Sequence, residues 1–258
     1  MTPATRPHYK TWIRTRPIVV FATLAVASLI LAALAFRNAL FLAFVIPAAI
    51  FGYILVIVGL SRWRFSAAGG DYQRRIHRLL VDRVSGSSVL DIGCGSGHLM
   101  AEIARAHPAA QLVGLDFWGS NWEYSQELCE RNFRAEGFAG RGTFVRGTAS
   151  NLPPDLGMFD TVVSCLTFHE VRDVEDKTTS LREAVQRVAP GGRFAFIDLF
   201  DAPQFYPHPD RVAASITECG GEIIEDVRLA ELLALPFPLQ HRRVLGYARL
   251  IAGVRVAH

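Results

Sequence analysis

The chain has 258 residues, is 50% hydrophobic and carries a formal net charge of +3. This length allows one well-buried domain with an appendage. The weak basic excess comes without a dense stripe of lysine and arginine interleaved with aromatics, which argues against nucleic acid as a partner. No Cys-x-x-Cys spacing occurs, so the sequence indicates neither a metal site nor a disulfide framework. We expect reduced, buried thiols at the four cysteines, Cys94, Cys129, Cys165 and Cys219.

Two long apolar runs open the chain. Residues 17–36 and 39–60 carry no charged side chain, and only Arg37 and Asn38 separate them. As a helix, a run of about 20 residues crosses the ~30 Å hydrocarbon core of a bilayer. A helical hairpin suits a bilayer because each helix satisfies its own backbone. The sequence therefore predicts a tail over residues 1–16, a transmembrane hairpin over residues 17–60 and a linker over residues 61–71.

Positive charges flank the hairpin on its outer sides. Such residues stay on the cytoplasmic side of a membrane, so both termini and the following domain are expected in the cytoplasm, with two spans in the inner membrane. Trp12 and Trp63 fall near the two expected inner interfaces, which favour amphipathic rings. The flanking cations are Arg6, Lys10, Arg14 and Arg16 before the hairpin, and Arg62, Arg64, Arg74, Arg75 and Arg78 after it.

Two other interpretations of the apolar runs stay open. Residues 33–35 (Ala-Leu-Ala) resemble the cleavage site of a signal peptide, although a second apolar run follows at once. The runs could also form a buried hairpin of a soluble protein. Nearly 45 almost uncharged residues are hard to bury in a domain of this size, which favours the membrane interpretation.

From residue 72 onward the apolar pattern alternates between strand and helix. Short apolar strands followed by amphipathic helices predict an α/β fold, a doubly wound, Rossmann-like, seven-stranded and mostly parallel sheet over residues 72–258. Ligands bind such sheets at the carboxyl ends of the strands. The predicted strands cover residues 89–92, 111–115, 142–146, 159–164, 193–199, 222–227 and 245–256, and the predicted helices cover residues 73–84, 97–106, 121–136, 177–188 and 212–219.

The segment VLDIGCGSG, residues 89–97, places three alternating glycines after the first strand. Such a turn lets backbone N–H groups approach a ligand at the N-terminus of the next helix, or serves packing alone. The dinucleotide fingerprint G-x-G-x-x-G requires glycine where His98 stands, which disfavours a nicotinamide reductase. Asp91 precedes the glycines, and Asp116 ends the second strand, where a carboxylate can accept both hydroxyl hydrogen bonds of a ribose.

Four segments together resemble a known family. VLDIGCGSG, GLDFW, FDTVVSCLTFHEV and VAPGGRFAFIDLF are similar, in order and spacing, to the successive motifs of class I S-adenosylmethionine-dependent methyltransferases. The resemblance covers about residues 72–258 and leaves out the apolar hairpin. It implies a Rossmann-like fold, methyl transfer as the reaction and S-adenosyl-L-methionine as the cofactor.

The resemblance also implies roles for the residues of the glycine turn. Asp91, Gly93, Gly95 and Gly97 would cradle the methionine end of the cofactor, and Cys94, in the same turn, would also bind the cofactor. A cationic sulfonium and an ammonium call for an acid or carbonyl groups nearby, which Asp91 and the turn would supply.

Further along the chain, the resemblance assigns the rest of the cofactor site. Asp116 would hold the ribose hydroxyls, and Phe117 would lie against the adenine. Thr148 and Ala149 match an acid–alanine pair that meets the adenine amino group, with threonine where the family commonly has aspartate. Cys165 would approach the methionine part through its backbone.

The loop after the fourth strand supplies the candidate base. A base is needed only if the methyl acceptor has a proton to lose. His169 titrates near neutrality and is the candidate general base, or it hydrogen-bonds backbone and shapes the cofactor pocket. Glu170 would orient His169 or cap the following helix. Asp198 and Asp201, at the end of the fifth strand, would line the acceptor site or be solvated.

An enzyme held at a bilayer meets lipid-soluble molecules at high local concentration. The sequence therefore predicts a membrane-anchored methyltransferase whose partners are the lipid bilayer and a small lipophilic acceptor. The aromatic loops over residues 203–208 and 235–238 are candidates for an apolar entrance. Alternatives are a methyltransferase for a membrane protein and a non-catalytic, membrane-anchored cofactor-binding module.

Overall fold

The computed structural model describes residues 6–119 and 122–256. These residues form two compact units, one of residues 11–73 and one of residues 6–10 with 74–256. Residues 1–5, 121 and 257–258 lie outside the described residues. They belong to the predicted tail, the predicted helix 121–136 and the end of the predicted domain, respectively.

The first unit is an apolar hairpin. Helix α1 (Thr15–Ala33) is followed by two 3-10 segments, Leu34–Phe36 and Ala39–Phe44, and by helix α2 (Val45–Phe65). The chain reverses at the predicted polar break, where the Asn38 side chain accepts a hydrogen bond from the Leu40 N–H at 3.0 Å. The predicted second span ends at residue 60, but α2 continues to Phe65, because the backbone becomes extended only at Ser66.

The two ends of this hairpin lie side by side. Arg62 donates from Nη1 to the carbonyl of Ile13 at 3.1 Å and to Oγ1 of Thr15 at 2.9 Å. The Trp12 and Phe65 rings meet edge to face, with centroids 5.1 Å apart. Residues 15–36 and 39–65 have a mean hydropathy of 2.7 and are long and apolar enough to cross a membrane. Most of their large apolar side chains are exposed.

The second unit contains the predicted seven-stranded sheet, in the order β3-β2-β1-β4-β5-β7-β6. All neighbouring strands pair in parallel except β7, which is antiparallel to β5 and β6, so the predicted fold class is confirmed. The strands are β1 (Ser88–Ile92), β2 (Gln111–Asp116), β3 (Gly142–Arg146), β4 (Phe159–Cys165), β5 (Val188–Asp198), β6 (Gly221–Arg228) and β7 (Arg249–Arg255). The helices are α3 (Tyr72–Val81), α4 (His98–Ala106), α5 (Gln126–Ala135), α6 (Thr178–Gln186), α7 (Pro209–Thr217) and α8 (Leu229–Leu232).

Helices cover both faces of the sheet. On one face, a Cβ added to Gly114 of β2 would collide with the Met100 sulfur of α4. On the other face, Leu90 of β1 belongs to a buried cluster with Leu181 of α6 and Ile216 of α7. Successive strand residues point to opposite faces, so both faces of each central strand are apolar. This explains the continuous apolar runs that mark the strands in the sequence.

Several element boundaries differ from the predicted ones. The helix predicted from residue 121 begins at Gln126, because the Ser125 hydroxyl caps it by accepting from the Leu128 N–H at 3.2 Å. The helix predicted from residue 212 begins at Pro209, a residue that suits a first helical turn. The strand predicted from residue 193 begins at Val188 and pairs irregularly with β4 near Phe159.

Gly253 provides a test of the packing of β7 between β5 and β6. A Cβ at this position would collide with the Glu222 carbonyl oxygen and the Phe194 ring. We expect Gly253→Ala to lower the free energy of unfolding by about 1–3 kcal/mol, as overpacking does. Thermal unfolding of the detergent-solubilised full chain, followed by circular dichroism, measures the effect.

Gly140→Ala is the matched control, since no atom lies within 4 Å of a Cβ there. Its stability should change by less than about 0.5 kcal/mol. Equal unfolding midpoints for the two variants would contradict the described pairing of β6 and β7.

Candidate functional site

The carboxyl ends of β1, β2, β4 and β5 lie along one edge of the sheet, because these strands run in parallel. The loops that follow them meet there. The N–H groups of Gly93 and Cys94 donate to the Leu115 carbonyl at 2.7 and 3.2 Å, which joins the glycine turn to the end of β2. The predicted residues of the methionine and ribose ends therefore lie together, as the topological rule for such sheets requires.

The turn requires glycine because its neighbours pack too closely to leave room for side chains. Gly93 and Gly95 have φ values of +82° and +54°, which side chains disfavour. A Cβ at Gly93 would collide with the Thr167 side chain, and one at Gly97 would lie 2.9 Å from the Cys129 sulfur. The Cys94 sulfur is buried, and burial followed by its interactions with Cys129 raises its pKa. A ligand contact by these residues stays a prediction, and it would use their backbone.

Asp116 fixes the turn from the neighbouring strand. Its carboxylate accepts from the Gly95 N–H at 2.9 Å and from the Trp118 N–H at 2.7 Å. The Trp118 indole in turn donates to the Gly95 carbonyl at 2.9 Å. Burial raises the pKa of Asp116, and the backbone donors oppose that rise. Each carboxylate oxygen has a second lone pair, so binding of ribose hydroxyls is compatible with these bonds.

Asp91 is a buried acid with an unused oxygen. Among the residues that the structure describes, none hydrogen-bonds its Oδ2 atom. Burial, followed by the negative charge of Asp116, raises the pKa of Asp91 to about 8. A positive group placed beside this pair would relieve both effects. The arrangement therefore fits a cationic ligand such as the ammonium or sulfonium of S-adenosylmethionine.

The predicted adenine end is more open. Phe117 is 63% exposed at the end of β2, and Ala149 is buried. The Thr148 hydroxyl lies 2.8 Å from the Ser150 hydroxyl, which donates to Asp173 at 2.7 Å. Asp173 thus brings a carboxylate toward the position where the family commonly has one. Sequence analysis missed it, because Asp173 belongs to a loop 23 residues beyond Ser150.

His169 is held by an acid at the end of β5. Its Nδ1 atom lies 2.5 Å from Oδ1 of the fully buried Asp198, and its backbone N–H donates to the other oxygen at 3.2 Å. Burial alone lowers the pKa of His169, but the Asp198 charge and hydrogen bond outweigh it, so the pKa is raised. Because Nδ1 faces Asp198, Nε2 is the atom that can accept a proton.

The structure decides between the roles that the sequence left to the neighbouring acids. Asp198 orients His169, and the interpretation of Asp198 as a solvated acid is wrong. The Glu170 carboxylate lies 3.7 Å from Nε2 of His169, and the interpretation of Glu170 as a cap of the following helix is wrong, because that helix begins only at Thr178. Asp201 instead pairs with Arg249 at 3.0 Å and Arg228 at 3.4 Å, away from the histidine.

Cys165 ends β4 between the two acidic positions. Burial, followed by the charges of Asp91 and Asp198, raises the pKa of its thiol. Its carbonyl accepts from the Thr167 hydroxyl at 3.2 Å. The side chain is therefore an inert part of the core, and the predicted backbone approach to the methionine part stays a prediction. Among the described residues, no group of three or more His, Cys, Asp or Glu could hold a metal ion.

Comparison with known proteins identifies this unit. Residues 89–192, from β1 into β5, match the family model of the methyltransferase domain. By this match, residues 89–192 are assigned to a methyltransferase domain. The matched range of this methyltransferase domain includes the glycine turn, Asp116 and His169.

Two curated relatives indicate the range of this family. An uncharacterized methyltransferase of Synechocystis is 32% identical over 151 residues, 57% of this chain and 64% of the relative. The phthiotriol/phenolphthiotriol dimycocerosates methyltransferase of Mycobacterium leprae is 32% identical over 116 residues, 45% of this chain and 39% of the relative. The chain spans about half the length of the curated relatives it matches.

Solved structures share the fold of the methyltransferase domain. The geranyl diphosphate C-methyltransferase of Streptomyces coelicolor, in complex with Mg²⁺, geranyl diphosphate and S-adenosyl-L-homocysteine, superposes with a TM-score of 0.57. The match covers 74% of this chain and 82% of that chain at 15% identity. This likeness establishes the fold alone.

The raised pKa of Asp91 predicts how stability depends on pH without ligand. Its value lies above the unfolded one, so between about pH 4 and pH 8 only the unfolded state loses this proton, and rising pH favours unfolding. Asp91→Asn removes this contribution. The unfolding midpoint of the variant should therefore rise relative to wild type as the pH increases from 5 to 8. A difference that stays constant across this range would contradict the assignment.

Proposed function

We propose that the chain is a membrane-anchored enzyme that transfers the methyl group of S-adenosyl-L-methionine to a small lipophilic acceptor. One observation carries the proposal: the same sheet edge holds an acidic pair suited to a cation and a histidine held by a buried acid. Asp91 and Asp116 form the first, and His169 and Asp198 form the second. A non-catalytic module would need only the first of these.

The acidic side of the edge suits the cofactor. The Asp91 oxygen without a partner would face the cationic methionine end, and the Asp116 carboxylate would hold the ribose. Phe117 and the Thr148–Asp173 region would meet the adenine. The cofactor supplies a methyl group on a positively charged sulfonium, which is a good leaving group. Much of the catalysis then lies in positioning the acceptor and excluding water.

His169 would act on the acceptor. Its Nε2 atom would take the proton that an acceptor hydroxyl, thiol or acidic carbon loses during methyl transfer. Asp198 would keep the Nδ1 proton in place and stabilise the imidazolium that forms. A raised pKa makes the neutral histidine a stronger base, which favours weakly acidic acceptors such as phenols.

An apolar acceptor is supported by the neighbourhood of His169. The Phe205 ring packs against the imidazole with centroids 5.1 Å apart, and Tyr206 is buried in the same loop. A second loop at this edge exposes Phe237. Two of the compared proteins are named for molecules with large hydrocarbon parts, dimycocerosates in one case and geranyl diphosphate, which also carries a charged diphosphate, in the other.

Membrane attachment is supported by chain connectivity. Residues 8–10 precede the apolar hairpin, yet they belong to the same compact unit as the methyltransferase domain that follows it. His8 and Asn132 form two hydrogen bonds across this span of the chain. Two segments in contact must lie on one side of a membrane, so a hairpin between them would cross it twice. The arginines that flank the hairpin favour the cytoplasm as that side.

His169→Gln tests the proposed base. It should lower kcat by about 10²–10⁴-fold and leave the cofactor dissociation constant unchanged. In wild type, activity should rise with pH through a midpoint above the ordinary histidine value. Asp198→Asn should move that midpoint to lower pH, because removing the carboxylate lowers the pKa of His169. A pH profile that is the same in both proteins would exclude His169 as the base.

Labelled cofactor distinguishes the acceptor classes. The full-length protein is incubated with methyl-labelled S-adenosylmethionine and host membranes, and the label is partitioned between lipid extract and precipitated protein. We expect label in the lipid extract with wild type and no label with Asp116→Ala, which lacks the carboxylate proposed to hold the ribose. Label in precipitated protein would instead support a membrane-protein substrate, and label in neither would contradict both.

A further inference from the structure

The segment His8–Lys10, termed the strap, is bound to the methyltransferase domain next to the glycine turn. The His8 N–H donates to Oδ1 of Asn132 at 2.8 Å, and Nδ2 of Asn132 donates to the His8 carbonyl at 3.0 Å. The same Nδ2 group donates to the carbonyl of Ser96 in the glycine turn at 2.9 Å. Asn132 is 1% exposed, so one buried amide joins the strap to the turn.

Tyr9 makes the second contact of the strap. Its ring stacks on the His98 ring, with centroids 4.4 Å apart and an interplanar angle of 12°. His98 is the first residue of α4, and its ring also contacts the buried His77 ring, with centroids 4.8 Å apart. The Tyr9 hydroxyl donates to Glu136 at 3.1 Å, which fixes the direction of the ring. The strap therefore contacts His98 directly through Tyr9 and is linked to Ser96 through the Asn132 amide.

These contacts involve the part of the glycine turn that would bind the cofactor. Three glycines with positive φ make the turn costly to order, since glycine loses more backbone freedom than other residues. Asp116 and Trp118 fix Gly95 from one side. The amide of Asn132 and the ring of Tyr9 act on Ser96 and His98 from the other side. A turn ordered before binding gives tighter binding.

We propose that the strap and Asn132 are positioning elements of the cofactor site, so that residues preceding the hairpin set the affinity for S-adenosylmethionine. The inference rests on the proposed function of the glycine turn. It assigns no chemical step to Tyr9 or Asn132. Both act through the backbone of residues 96–98 and would change cofactor binding while leaving the acceptor side intact.

The experiment measures cofactor affinity of the full-length chain in lipid nanodiscs by calorimetry. Tyr9→Ala removes the stack and should raise the dissociation constant roughly tenfold. Asn132→Asp keeps the acceptor for the His8 N–H but loses both donated bonds, and should have a similar effect. Tyr9→Phe keeps the stack and should stay within about twofold of wild type. Arg6→Ala, an exposed neighbour of the strap, is the matched control and should leave affinity unchanged.

Two further measurements separate positioning from mere stability. At saturating cofactor, kcat and the acceptor KM should equal the wild-type values. Amide hydrogen exchange of residues 93–98 without ligand should be faster in Tyr9→Ala and unchanged in Tyr9→Phe. A lower unfolding midpoint with unchanged affinity and unchanged exchange of the turn would overturn the proposal.

Failure of the proposed function would look different. If wild type does not bind S-adenosylmethionine, the proposed function fails, and the proposed setting of cofactor affinity fails with it. Exchange of residues 93–98 without ligand would still show whether the strap orders the turn. If wild type binds and all strap variants bind equally, the role of the strap is refuted while the proposed function stands.

Discussion

The carboxylate of Asp116 ties together the loops after β1 and β2. Two N–H donors, from Gly95 and Trp118, converge on it, and the Trp118 indole returns to the Gly95 carbonyl. Backbone groups of loops lack the regular partners of helices and sheets, and this half-buried acid satisfies two of them at once. The path of the glycine turn, and with it the approach of any ligand to the sheet edge, depends on this anchor.

The sheet edge is divided electrostatically. On the side of β1 and β2, Asp91 is buried beside the half-buried Asp116, and the pKa of Asp91 is raised in consequence. On the side of β4 and β5, Asp198 has His169 as its partner. The first side favours a positive charge, and the second is built to receive a proton. A positively charged methyl donor and an acceptor that loses a proton require this division.

The fold and much of the site were predictable because they follow from local pattern. Apolar runs and glycine stops predicted the strands along the chain, although not their order in the sheet, and the strand ends pointed to Asp91, Asp116 and His169. The partners of these residues were not predictable. Asp198 lies 29 residues from His169, and only the pairing of β4 with β5 brings them together. The role of Trp118 was not predictable either, because it depends on a backbone φ of +43°, which no sequence pattern indicates.

The bond between His8 and Asn132 joins residues 124 positions apart, with both apolar helices between them. During synthesis the strap leaves the ribosome first, and its partner helix α5 follows only after the hairpin is complete. Contacts of this sequence separation form late, since the long loop must close first. A chain that inserted with a single crossing would separate the two partners by a bilayer. Under the proposed membrane attachment, correct topology would be a condition for completing the domain, and only properly inserted molecules would reach this folded state.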